Sequence, residues 1–189
     1  MGGKQRNGEG NEGKHTEANE FNGTRIDAAR AVRRFDEFYL RWIEEPIDFQ
    51  DVDGLARMRA GSCVPIVAGG TAYDVKGMLE LIHADAVDIL RPDIMRCGGV
   101  TPLLSVAAIA SAQKVAVMPH LYSDASAHVL GFVPAGDMIE YLPDWFDHLY
   151  ARPAIALGRP APTVGPGLGL RFDPENHGAV VLAGAKCRR

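Results

Sequence analysis

The chain has 189 residues, 47% of them hydrophobic, which is enough for one domain with a sizeable core. Its net charge of −4 comes without a long block of either sign, which argues against a nucleic-acid surface, since that needs a concentrated basic face. No apolar run reaches the roughly 18–20 residues of a membrane span and no signal-peptide core opens the chain, so cytoplasm is the default localisation.

The three cysteines, Cys63, Cys97 and Cys187, are odd in number and lack CxxC spacing, which reads as reduced thiols. Residues 1–16, MGGKQRNGEGNEGKHT, hold no aliphatic residue after Met1 and are expected to be a disordered segment. Thr24 predicts a helix N-cap, with Asp27 three residues on and Ile26, Ala29 and Val32 continuing a stripe. LRWIEE (40–45) is a short aliphatic run suited to a buried strand, and Val52, Leu55 and Met58 then repeat at helical spacing. VPIVAG (64–69) predicts the next strand. Asp74 predicts the cap of a helix carrying Val75, Met78, Leu79 and Ile82. AVDIL (86–90) predicts a strand, Thr101-Pro102 a helix start, VAVMPH (115–120) a strand, 124–130 a shorter helix, and DMIEYL (137–142) a fifth strand. Beyond about residue 143 the chain turns Pro- and Gly-rich, with PTVGPGLGL (162–170) suggesting turns and short strands.

Strand centres recur about every 22–28 residues, the spacing of βα units in a doubly wound sheet or a (β/α)8 barrel. Neither GxGxxG nor GxxxxGK[ST] occurs, which removes the usual marks of a nucleotide-binding first turn. In a parallel barrel, reactive groups come from the C-terminal strand ends, where the βα loops converge. Those ends carry Glu44 and Glu45, then only Gly69-Gly70-Thr71, then Asp93, His120 and Glu140. Each has a structural reading too. Glu45 beside Pro46 turns the chain, Asp93 after Pro92 is a turn former, and His120 after Pro119 fits a core edge.

The segments WIEEP (42–46), RPDIMRCGGVT (91–101), MPHLYSDASAH (118–128) and MIEYL (138–142) resemble the enolase superfamily, in its mandelate racemase/muconate lactonizing enzyme group with the acid-sugar dehydratases. The resemblance runs from about Glu17 to Pro174. It implies an α/β fold, a partial (β/α)8 TIM-type barrel of about strands 3 or 4 to 8. The expected domains are the disordered 1–16, a barrel portion at 17–143 and a C-terminal segment at 144–189 packing beside it. It also implies Mg2+ on three carboxylates and abstraction of the proton α to a substrate carboxylate. His120 then matches the general base, Asp93 the carboxylate paired with it, and Glu140 an acid hydrogen-bonded to the substrate carboxylate. Glu44 matches the second metal ligand and Glu17 the first. The chemistry suits these types: an imidazole takes a proton near neutral pH, and a carboxylate fixes its tautomer.

The sequence departs from this pattern in three places. Gly70 stands where the third metal carboxylate is expected and offers no side-chain oxygen, so with the remaining site geometry intact Gly70→Glu is expected to raise Mg2+ affinity, and unchanged affinity would mean that the site is lost elsewhere too. Glu17 replaces an aspartate. No capping domain, first strands or Lys-x-Lys base precede the matched region, so the chain is expected to be a truncated member that cannot use a second base for epimerisation. Two readings follow: an acid-sugar dehydratase-like enzyme, impaired by these changes, or a catalytically inactive, partner-binding or scaffold relative. Its expected partner is a sugar-acid substrate, and unpaired sheet edges favour a homo-oligomer. Met95, Arg96 and Tyr122 flank the motifs, where contact with substrate is one reading, and are expected to pack in loops or core. His83, His128 and His148 are expected to be structural.

Overall fold

A computed structural model describes residues 24–134, 136, 138–142, 155–156, 159–160, 162 and 164–170. The expectations for residues 1–16, Glu17, His148 and Cys187 lie outside the described residues, as does most of 144–189.

Helix α1 (Arg25–Phe35) starts where the sequence places it. The Thr24 hydroxyl accepts the Asp27 amide at 3.3 Å and the Asp27 carboxylate accepts the Thr24 amide at 3.3 Å, a reciprocal capping box. A 3-10 turn (Asp36–Phe38) leads to β1 (Ile43–Glu44). Asp51 and Asp74 cap α2 (Val52–Ala60) and α3 (Val75–His83) by accepting the amides of Gly54 and Gly77 at 3.0 and 2.7 Å. Strands β2 (Ile66–Ala68), β3 (Ile89–Leu90) and β4 (Ala116–Val117) alternate with these helices, followed by α5 (Ser123–Leu130). One boundary moves. Helix α4 (Val100–Ala112) begins at Val100 and not after Thr101, because Gly98 and Gly99, at φ of 100° and 107°, already turn the chain. Pro102 still falls in the first turn, where its missing N–H costs nothing.

The strands form one parallel sheet in the order β1-β2-β3-β4, the arrangement of consecutive βα units in a barrel wall. After α5 the chain returns to the outer edge of β4, where Val117 bridges Gly136 in parallel. No ladder forms over 138–142 of the expected fifth strand, where the Glu140 amide donates to the Pro119 carbonyl at 3.5 Å. A short antiparallel pair, β5 (Ile155–Ala156) and β6 (Arg159–Pro160), follows.

Both faces of the sheet are apolar, as a parallel sheet requires. Ile43, Ile66, Ala68, Leu90 and Val117 point to the helices and join Leu55, Met78, Leu81, Leu103 and Val106 in the main core. Trp42, Val67 and Met118, with Ile89 and Met138, make a second cluster on the concave face. At the N-terminal end of the strands, Arg59 on α2 bonds Asp88 at 2.8 Å while Asp88 accepts the Ile66 amide at 2.8 Å. This clamp lies at the face that serves stability in such barrels.

Candidate active site

The side-chain alternation of a strand decides what reaches the rim. Stepping two residues from each member of the concave apolar cluster gives Glu44 after Trp42, Gly69 after Val67, Arg91 after Ile89, His120 after Met118 and Glu140 after Met138. One face thus carries hydrocarbon at its base and ionisable groups at its C-terminal edge. Asp93, two residues beyond Arg91, pairs with His120 through an isolated parallel bridge.

Asp93 is 1% exposed and fully committed. One carboxylate oxygen accepts the amides of Met95 at 2.8 Å and Arg96 at 3.1 Å. The other lies 2.9 Å from Nδ1 of His120. Two local amides therefore aim the carboxylate, and the carboxylate aims the ring. Nε2 of His120 is left facing Glu140, 3.8 Å from Oε2. That oxygen also accepts the Leu121 amide at 2.9 Å. Burial pushes the Glu140 carboxyl up, but hydrogen bonding and charge from Arg91, the Leu121 amide and His120 outweigh it and hold the group below its ordinary value. Three non-glycine residues at this rim, Glu45, Leu121 and Tyr122, adopt left-handed backbone at φ of 40°, 50° and 43°. Such conformations persist where the surroundings over-determine them.

Arg91 joins what the strands keep apart. Its two terminal nitrogens pair with Glu44 on β1 and with Glu140, and the whole residue is 3% exposed. To meet Glu44 the side chain spans β2, which lies between β1 and β3 in the sheet. Within the segment RPDIMRCGGVT, Arg91 carries no local mark of a site residue. The two-residue step from Ile89 is the signal that places it on the concave face. Glu44, Asp93, His120 and Glu140, expected to share one rim, are brought together by this network. Glu45 is not part of it. Its Oε1 accepts the amides of Gly69 and Thr71 and the Thr71 hydroxyl at 3.3, 3.2 and 3.0 Å, tying β1 to the β2–α3 loop.

Gly70 packs against the His120 ring. A Cβ added there would lie 3.3 and 3.4 Å from ring carbons of His120 and 3.6 Å from the Glu45 carboxylate. The guanidinium of Arg96 bonds the Gly70 carbonyl, lies 3.9 Å from Asp93 and sits 5.4 Å from the Tyr73 ring, so it is a rim group and not loop filler. Met95 is exposed at the same rim, whereas Tyr122 packs on the main core. His83 ends α3, and Nε2 of His128 meets the Leu168 carbonyl at 3.1 Å, so neither joins the site.

A magnesium ion asks for near-octahedral oxygen ligation. Among the described residues no three His, Cys, Asp or Glu side chains are grouped to hold a metal. Glu44 is paired with a guanidinium, Gly70 brings no oxygen, and Glu17 lies outside the described residues. The described donor set does not fit Mg2+.

A parallel βα array with ionisable groups at its C-terminal rim defines a barrel-type α/β protein, and comparison with known proteins narrows the class. Residues 16–176 match the family model described as enolase C-terminal domain-like. The chain belongs to this family, in its mandelate racemase/muconate lactonizing enzyme group. It is 38% identical over 85 residues to the D-galactarolactone cycloisomerase of Agrobacterium fabrum, covering 45% of this chain and 22% of that protein. It is 30% identical over 126 residues to the L-talarate/galactarate dehydratase of Salmonella typhimurium, covering 67% of this chain and 31% of that one. The L-talarate dehydratase structure from Polaromonas sp., complexed with Mg and L-glucarate, superposes with a TM-score of 0.76 at 33% identity, covering 83% of this chain and 44% of that one. The chain thus spans less than half the length of these relatives.

Proposed function

We propose that this rim abstracts the proton α to the carboxylate of an acid sugar, as a dehydratase does, with His120 as the base. The observation that supports the reading best is the 2.9 Å pair between His120 Nδ1 and Asp93. With Nδ1–H donated to the buried carboxylate, Nε2 keeps its lone pair and faces the concave side. The α-proton passes to Nε2 and leaves its electron pair on the α-carbon; the resulting imidazolium gives a proton to a hydroxyl on the neighbouring carbon, and the pair forms the C=C bond as the C–O bond breaks and water leaves. Glu140 has a partner role. Its anion, favoured by Arg91 and the Leu121 amide, accepts hydrogen bonds, which suits a substrate hydroxyl beside the carboxylate. Arg96, partly exposed beside Asp93, is the cation within reach of that carboxylate.

The relatives named for talarate and galactarate, and those named for L-rhamnonate and D-xylonate, support an aldarate or aldonate substrate. The test is incubation of the 189-residue chain with a panel of these acids in deuterated water. Deuterium entering the α-carbon or loss of water is expected, and His120→Asn should lower it by about 10²–10⁴-fold. Neither exchange nor water loss with any acid would overturn the proposal. That result would leave the second reading, a non-catalytic relative, favoured by Gly70 and by the Arg91-bound Glu44.

A further inference from the structure

We infer that Arg91 is the resident cation of this rim, supplying to Glu44 and Glu140 the positive charge that a divalent metal would otherwise bring. The inference concerns how the site is neutralised, and it stands or falls apart from the chemistry at His120.

A guanidinium 3% exposed is costly unless its charge is paired, and removing one partner of such a pair is strongly destabilising. Arg91 meets that demand with two carboxylates from separate parts of the chain, one on each terminal nitrogen. Its Nε is buried with no acceptor among the described residues, so the two carboxylates alone hold the head group in place. A metal recruiting Glu44 would take away one of these partners and set a dication beside a buried guanidinium. Like charges at such range in a low-dielectric site repel strongly.

The neighbouring positions agree. Gly70 leaves the rim without a carboxylate at the end of β2, and Glu45, the nearest other one, already receives three hydrogen bonds. Each described carboxylate around the concave rim therefore has its donors within the protein. The guanidinium, planar and permanently charged, suits a bridge between two carboxylates better than an ammonium would.

The experiment is a calorimetric Mg2+ titration, with melting midpoints in Mg2+ and in EDTA, on the full chain and its Arg91→Met and Arg91→Lys variants. The wild type and Arg91→Lys should give no binding heat and the same midpoint in both solutions. Arg91→Met should melt lower in EDTA and recover part of the loss in Mg2+, and adding Glu44→Gln should abolish that recovery. Mg2+ uptake by the wild type would overturn the inference, as would a folded Arg91→Met variant indifferent to Mg2+. If Arg91→Met does not fold in EDTA, refolding with Mg2+ decides: recovery of folded protein supports the inference and none overturns it.

Discussion

Glu140 shows how one residue's surroundings set its charge. Burial alone would favour the neutral acid, yet Arg91 and the Leu121 amide stabilise the anion more. A folded value below the ordinary 4.5 means that the stability it supplies is fully present above 4.5 and is lost as pH falls through the folded value. Glu140→Gln should therefore lower the melting midpoint at neutral pH, with the gap to wild type closing on acidification below that range. A gap that stays constant in paired thermal melts would refute the assignment. Gly70 offers a second test. Restoring a carboxylate there by Gly70→Glu presses on the His120 ring and leaves Glu44 bound to Arg91. The single substitution should not raise Mg2+ affinity, whereas combined with Arg91→Met it should. Calorimetry showing tight binding by Gly70→Glu alone would contradict this.

At the scale of elements, the caps and the strand parity carry the organisation. Asp74 satisfies an orphan amide at the start of α3, whose Met78, Leu81 and Ile82 are buried. Asp74→Ala should cost about 1 kcal/mol, read from urea unfolding with an unchanged m-value. Leu81→Ala, at a fully buried site in the same helix, should cost more, about 2–5 kcal/mol. If the two substitutions prove equal, the helix is not held by its buried face in the way described. The loops are shaped as firmly as the helices. Asp93 fixes the β3–α4 turn through two amides, and Glu45 fixes the β2–α3 loop through three donors.

At the scale of the whole molecule, the parallel array is open among the described residues and so presents edges. Among the described residues β1 has a strand partner on one side only, and β4 meets the returning chain through a single bridge. Unpaired N–H and C=O groups are templates for another strand. The 189-residue chain should therefore show in light scattering a mass above that of one copy, rising with concentration. A single-copy mass at all concentrations would mean that these edges are covered within the chain.

Much of this was legible in the residues. Aliphatic runs at regular spacing, Thr24 and Asp74 as caps, and ionisable residues at strand ends are local signals, and local backbone chemistry honours them wherever the chain folds. The start of α4 was less legible, because two consecutive glycines outweighed a good capping threonine. Arg91 was not read at all. An arginine after a strand is ordinarily solvated, and nothing in one dimension says that β1 and the segment after α5 bring carboxylates to both of its terminal nitrogens. The amino-acid order by itself determined the βα rhythm, the family and which residues stand at strand ends, since these follow from periodicity and neighbouring side chains. Only the tertiary structure decided which charges meet, because pairing depends on sheet order and on how far each side chain reaches across the strands, and burial then makes that pairing obligatory.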